Sequence, residues 1–156
     1  RIFKNEAEKK NYIPYNEELE DAVIFDIDGT IALMNGRSPF DWTRVSEDLP
    51  HEPVVRVAQD YILRDDVRVY FVSGRDGSCR KETENWLSTH GLDGYDGLFM
   101  REAGDGRKDS IIKEEIFYEE FKDNYNILAV FDDRNQTVDK WRELGVPCFQ
   151  VAPGAF

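Results

Sequence analysis

Short apolar segments alternate with amphipathic helical patterns along most of this sequence, and this alternation limits the possible folds more than any other feature. Five segments have the features of buried strands, being short, rich in β-branched or aromatic residues, and flanked by polar turn residues. They are Ala22–Asp26, Arg68–Ser73, Gly97–Met100, Ile127–Phe131 and Pro147–Val151. Strands that alternate with helices need crossover connections, which produce a parallel sheet. The sequence therefore predicts an α/β fold, a three-layer Rossmann-like parallel sheet flanked by helices.

The helical patterns lie between and after these strands. They are Pro53–Leu63, Arg80–His90, Ser110–Phe121 and Asn135–Leu144. Each has apolar residues on one face, and two of them stop at a glycine, Gly91 or Gly145, which favours a helix C-terminus. Residues 1–20 are polar and charged, and we interpret them as a linker or leading helix. One folded domain is predicted over residues 21–156.

The composition excludes several classes of protein. The 156 residues are 40% hydrophobic with a net charge of −12, which is unlike a disordered chain or a protein that binds nucleic acid through a broad basic face. No apolar run approaches the roughly 20 residues that span a membrane. Cys79 and Cys148 fit neither a disulfide framework nor a zinc site, so we predict free thiols in a reducing cytoplasm. A small cationic pocket that handles one phosphate at the end of a strand remains possible in so acidic a domain.

Polar residues follow the predicted strands at the edge where parallel α/β sheets carry their chemistry. In chain order they are Asp26 and Asp28, Ser73 and Gly74, Lys108, and Asp132 with Asp133. Alternation along a strand places Asp26 and Asp28 on the same side, with Ile27 pointing away. We therefore expect these residues to form one site.

These residue types fit a phosphoryl transfer assisted by a divalent cation. Neighbouring carboxylates repel one another, and Mg²⁺ takes carboxylate, carbonyl and water oxygens as ligands. Asp26 can then attack phosphorus and form an aspartyl-phosphate, while Asp28 protonates the leaving oxygen and later deprotonates water. The Ser73 hydroxyl and the Lys108 ammonium can hold the phosphoryl oxygens. The sequence predicts a Mg²⁺-dependent phosphatase with Asp26 as its nucleophile.

In order and position, these motifs resemble the four motifs of the haloacid dehalogenase (HAD) superfamily. A closer resemblance, over roughly residues 20–156, is to the C-terminal phosphatase domain of bacteriophage polynucleotide kinase/phosphatases. It is carried by Met34–Trp42, Phe71–Arg75, Gly104–Asp109, Lys113–Phe117, Asp132–Arg134 and Gln150–Ala152. This resemblance implies a HAD-like fold and the removal of 3′-phosphates at broken DNA or RNA ends, together with the opening of 2′,3′-cyclic phosphates.

The resemblance also implies a partner domain, an N-terminal P-loop kinase. The chain begins with Arg1 instead of Met and has no P-loop sequence. We therefore expect a phosphatase half cut from a longer protein, which would act in the cytoplasm, and in the host cytoplasm if a phage encodes it.

Individual roles follow from the same resemblance. The residues implied to contact the substrate are Arg37, Ser73, Gly74, Arg75, Asp105 and Lys108. Those implied to bind Mg²⁺ are Asp26, the backbone carbonyl of Asp28, Asp132 and Asp133. Within the acidic pair we favour Asp132 as the direct ligand, because it lies nearest the strand end. Asp105 is expected to orient Lys108 or Arg75.

Each of these residues also has a plainer interpretation. Asp26 and Asp28 could be turn residues, since Asp-Gly is a common turn sequence. One member of the Asp132–Asp133 pair could cap the following helix, and the two arginines could lie in solvent. Phe40 and Trp42 could stack on a terminal base or pack beneath their loop.

Two other functions are consistent with the sequence. A HAD phosphatase that acts on phosphoproteins or small phosphate esters would carry the same four motifs. A non-catalytic module that binds phosphorylated ends would use the same pocket without turnover. The stretches between the motifs leave room for a minimal cap or none, so the site is expected to be open to a bulky substrate.

Overall fold

The computed structural model describes residues 5–6 and 10–156. Its strands are β1 (Glu20–Phe25), β2 (Ala32–Leu33), β3 (Leu49–Pro50), β4 (Arg68–Asp76), β5 (Gly97–Arg101), β6 (Tyr125–Asp132) and β7 (Cys148–Gln150). Its helices in the domain are α1 (Glu52–Ile62), α2 (Arg80–Thr89), α3 (Asp109–Ile116) and α4 (Asn135–Glu143). Part of the predicted linker or leading helix, residues 1–4 and 7–9, lies outside the described residues.

Strands β1, β4, β5, β6 and β7 form one parallel sheet in the order β5-β4-β1-β6-β7. The central strand β1 pairs with β4 on one side and with β6 on the other. Its residues Val23, Ile24 and Phe25 have no exposed surface. A strand that is apolar on both faces must be covered on both, and this explains why helices lie on each side of the sheet.

Two apolar clusters join the helices to the sheet. On one face, α1 contributes Val55 and α2 contributes Trp86. On the other, α3 contributes Ile112 and α4 contributes Trp141. Fully burying an apolar side chain of this kind stabilises the fold by about 1.5–3 kcal/mol. The predicted three-layer α/β architecture is confirmed.

Two elements end more than two residues away from the predicted position. Strand β4 continues to Asp76, because β5 pairs with it again beyond an irregularity, Asp76 lying beside Arg101. Helix α3 ends at Ile116 and is followed by a π-helical turn, Phe117–Phe121, where a single helix was predicted. Both ends of that turn are buried against the sheet.

The connection from β1 to α1 is small. It carries the antiparallel pair of β2 with β3 and a 3₁₀ helix, Trp42–Glu47. An insert of this size cannot enclose a substrate. The carboxyl ends of the central strands therefore lie open, as expected for a domain with a minimal cap.

The described part of the N-terminal segment is attached to the amino-terminal edge of the sheet. The side-chain Nδ2 of Asn126 donates to the backbone carbonyl oxygens of Asn16 at 2.8 Å and Leu19 at 3.1 Å. The backbone N–H of Ile13 donates to the carbonyl oxygen of Gly145 at 3.1 Å. These contacts join residues 13–19 to the folded domain at the edge opposite the strand ends that carry the predicted site.

The two cysteines are free, as predicted, and both are buried. Burial raises the pKa of both thiols, and that of Cys148 to about 12, so neither is a reactive thiolate at neutral pH. Across the described ranges, no helix combines the length and the apolar character needed to cross a membrane.

Candidate active site

A cavity of about 580 Å³ opens at the carboxyl ends of β1, β4, β5 and β6. The predicted site residues on its lining are Asp26, Asp28, Ser73, Gly74, Asp105, Lys108, Asp132 and Asp133. Arg37 and Arg75 are not part of that lining. The structure thus brings most of the predicted residues to one place, as the rule for parallel sheets requires.

Asp26 lies buried in this cavity at the end of β1. Its Oδ1 accepts a hydrogen bond from Lys113 Nζ at 2.9 Å, and its Oδ2 accepts one from Thr30 Oγ1 at 3.0 Å. Burial and the nearby Asp132 carboxylate raise the pKa of Asp26 well above its ordinary value, while Lys113 acts in the opposite direction. Positive charge near Asp26 is therefore needed to keep this carboxylate ionised.

Lys113, and not the predicted Lys108, is the lysine beside the candidate nucleophile. Its Nζ also donates to Asp132 Oδ2 at 2.7 Å, and only 3% of its side chain is exposed. Burial alone would lower the pKa of Lys113, but the Asp132 and Asp26 carboxylates outweigh it and raise that pKa above the ordinary value. Lys108 is exposed at the start of α3 and contacts neither carboxylate. The structure therefore replaces Lys108 by Lys113 in this position.

The sequence carries a signal for Lys113 that is easily overlooked. With Glu114 and Glu115 it forms a polar run typical of a solvated helix face. However, Lys113 lies three and four residues before Ile116 and Phe117, on the apolar stripe that packs against the sheet. A lysine on a buried stripe needs carboxylate partners, and these are the acids at the strand ends.

Three carboxylates meet in the floor of the cavity. Asp26, Asp132 and Asp133 each offer an oxygen, and these oxygens lie within 4.8 Å of one another. Burial, followed by the Asp132 charge, also raises the pKa of Asp133. Three ionised carboxylates and the Lys113 ammonium would leave two negative charges uncompensated. This is a donor set and a charge that fit one divalent cation with a preference for oxygen ligands, such as Mg²⁺.

Asp132 and Asp133 differ in their hydrogen bonds. Asp132 Oδ1 accepts from the backbone N–H of Asp133 at 2.8 Å, and its Oδ2 accepts from Lys113. The only hydrogen bond to the Asp133 carboxylate from a described residue is a long one from Thr30 Oγ1, at 3.4 Å. The free lone pairs of Asp133 favour this residue as the direct metal ligand, whereas the sequence favoured Asp132.

Two glycines allow the backbone to approach these acids. Gly29 has a φ of +80°, and a Cβ there would lie 2.1 Å from Asp133 Oδ2. A Cβ on Gly74 would lie 2.5 Å from Asp109 Oδ1. Asp109 in turn accepts from Arg101 and from Arg134 Nη1, the latter at 2.9 Å. A larger residue at either position would therefore force these carboxylates to move.

The candidate acid/base, Asp28, is held by two arginines through one oxygen. Its Oδ1 accepts from Arg37 Nη2 at 3.1 Å and from Arg75 Nε and Nη2 at 3.0 and 2.8 Å. Its Oδ2 has no hydrogen-bond partner among residues 5–6 and 10–156. The side chain is 22% exposed and lines the cavity. One oxygen is therefore anchored while the other remains available for proton transfer.

Asp48, which the sequence did not indicate, joins the two arginines. Its Oδ1 accepts from Arg37 Nε at 2.8 Å, and its Oδ2 accepts from Arg75 Nη2 at 2.7 Å. All three side chains are at most 1% exposed. Arg37 and Arg75 were predicted to contact the phosphate, but in the structure both lie off the cavity lining, with their guanidinium groups paired to Asp28 and Asp48.

We expect Asp48→Asn to lower both activity and stability. An amide cannot pair with two buried arginines, and breaking a buried ion pair destabilises a fold by about 3–5 kcal/mol. Asp28 would also lose its fixed orientation, so kcat should fall at least about tenfold. Urea unfolding and steady-state kinetics measure the two effects.

Glu47→Gln is the matched control for Asp48→Asn. Glu47 pairs with Arg44 in the same segment, but both side chains are exposed, and such pairs contribute about 0–1 kcal/mol. If Asp48→Asn behaved like Glu47→Gln in both assays, the positioning role of Asp48 would be refuted.

Three further predictions, for Ser73, Asp105 and Phe40, can be compared with the structure. Ser73 is buried on the cavity lining, and its Oγ accepts from the Arg75 backbone N–H at 3.1 Å. Asp105 orients neither Lys108 nor Arg75, since it pairs with Arg107, whose guanidinium lowers the pKa of Asp105 to about 2. Phe40 does not pack beneath its loop, because it is 83% exposed.

A parallel α/β sheet with Asp26 and Asp28 at the end of its central strand, a buried lysine and an acidic pair defines a phosphatase of the HAD class. The class C acid phosphatase from Bacillus anthracis shares this fold. It aligns over 77% of this chain and 54% of its own, with a TM-score of 0.51 and 15% identity. That likeness shows the fold alone.

The family model described as the polynucleotide kinase PNKP phosphatase domain matches residues 20–156. The chain belongs to this family, which confirms the resemblance found in the sequence. A protein of Autographa californica nuclear polyhedrosis virus, named as a bifunctional polynucleotide kinase/RNA ligase, is 35% identical over 138 residues. Those residues are 87% of this chain and 20% of the viral protein.

Two solved structures are more similar still. They are described as the Pnkp1/Rnl/Hen1 complex and the Pnkp1/Rnl/Hen1 RNA repair complex, and each matches with 43% identity and a TM-score of 0.88. Each match covers 93% of this chain, but 50% and 46% of the solved chains. This chain thus spans about half the length of these solved chains and a fifth of the viral relative.

Proposed function

We propose that this domain is a Mg²⁺-dependent polynucleotide 3′-phosphatase that works through an aspartyl-phosphate on Asp26 in nucleic-acid end repair. The family supplies the class of substrate. The observation that carries the chemistry is the buried group of Asp26, Lys113 and the Asp132–Asp133 pair in the cavity floor. This group combines a nucleophile, a fixed positive charge and ligands for a cation.

The first step forms the covalent intermediate. The Asp26 carboxylate attacks phosphorus, and the bond from phosphorus to the 3′ oxygen of the strand breaks. Asp28 Oδ2, the oxygen without a hydrogen bond from the described residues, gives its proton to the leaving oxygen. In the second step water attacks the same phosphorus, Asp28 takes the proton, and the bond to Asp26 breaks.

Donors near Asp26 can hold the phosphoryl oxygens during both steps. The Lys113 ammonium has three N–H donors and uses two of them on Asp26 and Asp132, so one is left for the substrate. The Ser73 hydroxyl and the Gly74 backbone amide lie on the same lining. Fixed donors at a site of changing charge are a large source of rate enhancement.

The residues that would hold Mg²⁺ are Asp26, Asp133 and the backbone carbonyl of Asp28. When bound, the cation would neutralise charge on the phosphoryl oxygens. Asp132 would act indirectly, by holding Lys113. This assignment accounts for the two negative charges that the protein alone leaves unbalanced.

The wider setting follows from the relatives. The solved relatives belong to an RNA repair complex, and the viral relative is named as a kinase and ligase. We propose that the full-length protein carries an N-terminal P-loop kinase, that it acts on DNA or RNA ends, and that it works in the cytoplasm.

Three substrates test the proposed specificity. An oligonucleotide with a 3′-phosphate should be hydrolysed at least about tenfold more efficiently, in kcat/KM, than its 5′-phosphorylated isomer or p-nitrophenyl phosphate. No release is expected in EDTA. Equal rates on all three would refute the polynucleotide assignment and favour a general phosphatase. A 2′,3′-cyclic end in the same assay tests the second activity that the resemblance implies.

We expect Mg²⁺ to stabilise the protein against urea. A ligand that binds only the folded state, at about a hundredfold above its Kd, adds about 2.7 kcal/mol to the unfolding free energy. Asp133→Asn should lose this increment, whereas Asp60→Asn, at an exposed site on α1, should keep it. An equal Mg²⁺ effect in both variants would refute Asp133 as a ligand.

A further inference from the structure

Part of the cavity lining has no role in the proposed chemistry. One segment, which follows β2, contributes Met34, Pro39, Phe40 and Trp42. Phe40 is the most exposed large apolar residue among those described, at 83%. An aromatic ring that is open to water adds little to folding, so a ring placed on the wall of a catalytic cavity is available for a ligand.

The cavity lining also contains one basic side chain, Lys108, that has no carboxylate partner among the described residues. Its basic residues are Arg101, Arg107, Lys108, Lys113 and Arg134. Four of them are paired with carboxylates, on Asp26, Asp105, Asp109, Glu115 or Asp132. Within the described part of the chain, no carboxylate lies within ion-pair distance of the Lys108 ammonium.

Arg56, Lys81 and Lys122 are also exposed without a carboxylate partner among the described residues, but Lys108 is the one that lines the cavity. Acidic residues outnumber basic ones by 32 to 20 in this chain, so counter-ions are abundant. Lys108 also precedes the first residue of α3, where the helix dipole disfavours a cation. A positive charge that is exposed, unpaired and badly placed for the helix is best explained by an anionic ligand.

We propose that Phe40 and Lys108 bind the nucleotides next to the 3′-phosphate, Phe40 by stacking on a base and Lys108 by contacting a backbone phosphate. This inference rests on the proposed polynucleotide phosphatase activity and narrows its substrate. In a duplex, stacking covers the faces of the bases except for the outer face of the terminal pair. An unpaired end offers an exposed ring more base surface to stack on, so the favoured substrate is an unpaired, single-stranded 3′ end.

The acidic character of the domain is consistent with a site that uses one aromatic ring and one lysine. A net charge of −12 opposes broad contact with a polyanion. Stacking needs no positive charge, because every base has an aromatic face. One lysine and one aromatic ring next to the catalytic floor can thus hold the end of a strand without a basic surface.

Phe40→Ala and Lys108→Ala in the intact chain test the proposal. The substrates are single-stranded oligonucleotides of increasing length with a 3′-phosphate, and p-nitrophenyl phosphate as the small ester. We expect KM for the longer oligonucleotides to rise about tenfold in Phe40→Ala, and the rise to be smaller for a mononucleotide. Lys108→Ala should reduce the slope of log kcat/KM against log salt by about 0.7, the value for one phosphate contact on a single strand.

Matched controls come from exposed residues off the catalytic cavity. Phe149→Ala removes an aromatic ring that is 55% exposed on β7. Lys122→Ala removes a lysine that lies over Tyr118, outside the cavity lining. Neither variant should change KM, the length dependence or the salt slope.

The outcomes separate this proposal from the one it rests on. If the wild type hydrolyses oligonucleotide 3′-phosphates no better than p-nitrophenyl phosphate, the proposed function fails. If the wild type prefers them, yet both variants keep its KM and salt slope at every length, only the present inference is overturned. A wild type that prefers a single-stranded end to a blunt duplex end, with that preference reduced in Phe40→Ala, supports it.

Discussion

Asp26→Asn should stop phosphate release from every substrate, lowering kcat by at least about 10³-fold. An amide cannot form the aspartyl-phosphate, although it has the shape of the carboxylate and can still accept from Lys113. Stability should change little, or rise slightly without Mg²⁺, because the substitution removes a buried charge that lies beside Asp132 and Asp133. Phosphate release and urea unfolding on the same preparation measure both effects.

Asp60→Asn provides the control for this substitution. It makes the same chemical change at an exposed position of α1 and should leave kcat unchanged. Activity that survives in Asp26→Asn would show that another group is the nucleophile. A folded but inactive protein, with activity intact in Asp60→Asn, is the result that supports the proposed covalent step.

Lys113→Met should lower kcat by about 10²- to 10³-fold, as loss of one fixed donor to a transition state does. It should also destabilise the protein by about 3–5 kcal/mol at neutral pH without Mg²⁺, because buried carboxylates lose their partner. In the folded state the pKa of Asp26 is already raised, and it should rise further in this variant. The folded variant then binds protons more tightly than the unfolded chain, so its stability deficit should shrink as the pH falls.

Lys122→Met is the control for the buried lysine, since Lys122 is exposed and lies outside the catalytic cavity. It should match the wild type in kcat and in unfolding free energy at every pH. A Lys113→Met protein with wild-type kcat would refute the role of the ammonium at the phosphoryl group. If the loss of unfolding free energy in Lys113→Met did not depend on pH, Lys113 would stabilise the fold by packing alone.

The sequence by itself determined the sheet and the first pair of acids. Asp26 and Asp28 directly follow the apolar strand β1, and strand periodicity predicts that they lie on one side, as they do on the cavity lining. Asp132 is the last residue of a second such strand, β6, and Asp133 follows it. The carboxyl ends of parallel strands meet at one edge of the sheet, so the two pairs of acids can be expected there from the sequence.

The network around Asp28 could not be predicted from the sequence. Arg37, Asp48 and Arg75 come from three separate segments, and nothing local indicates that they are buried together. Arginine usually lies in solvent, and an isolated aspartate after a 3₁₀ helix has no distinctive pattern. Their roles depend on which groups the packed loops exclude from water.

The tertiary structure also decided which lysine lies beside Asp26. Lys108 and Lys113 are five positions apart, one just before α3 and the other in its last turn, and both are close to a motif in the sequence. Docking of α3 on the sheet through Ile112 and Ile116 turns Lys113 towards Asp26 and leaves Lys108 on the rim of the cavity. Residues at strand ends are placed by local periodicity, whereas residues on helices and loops are placed by long-range packing. For that reason Asp26 could be predicted from the sequence, and Lys113 was found only in the fold.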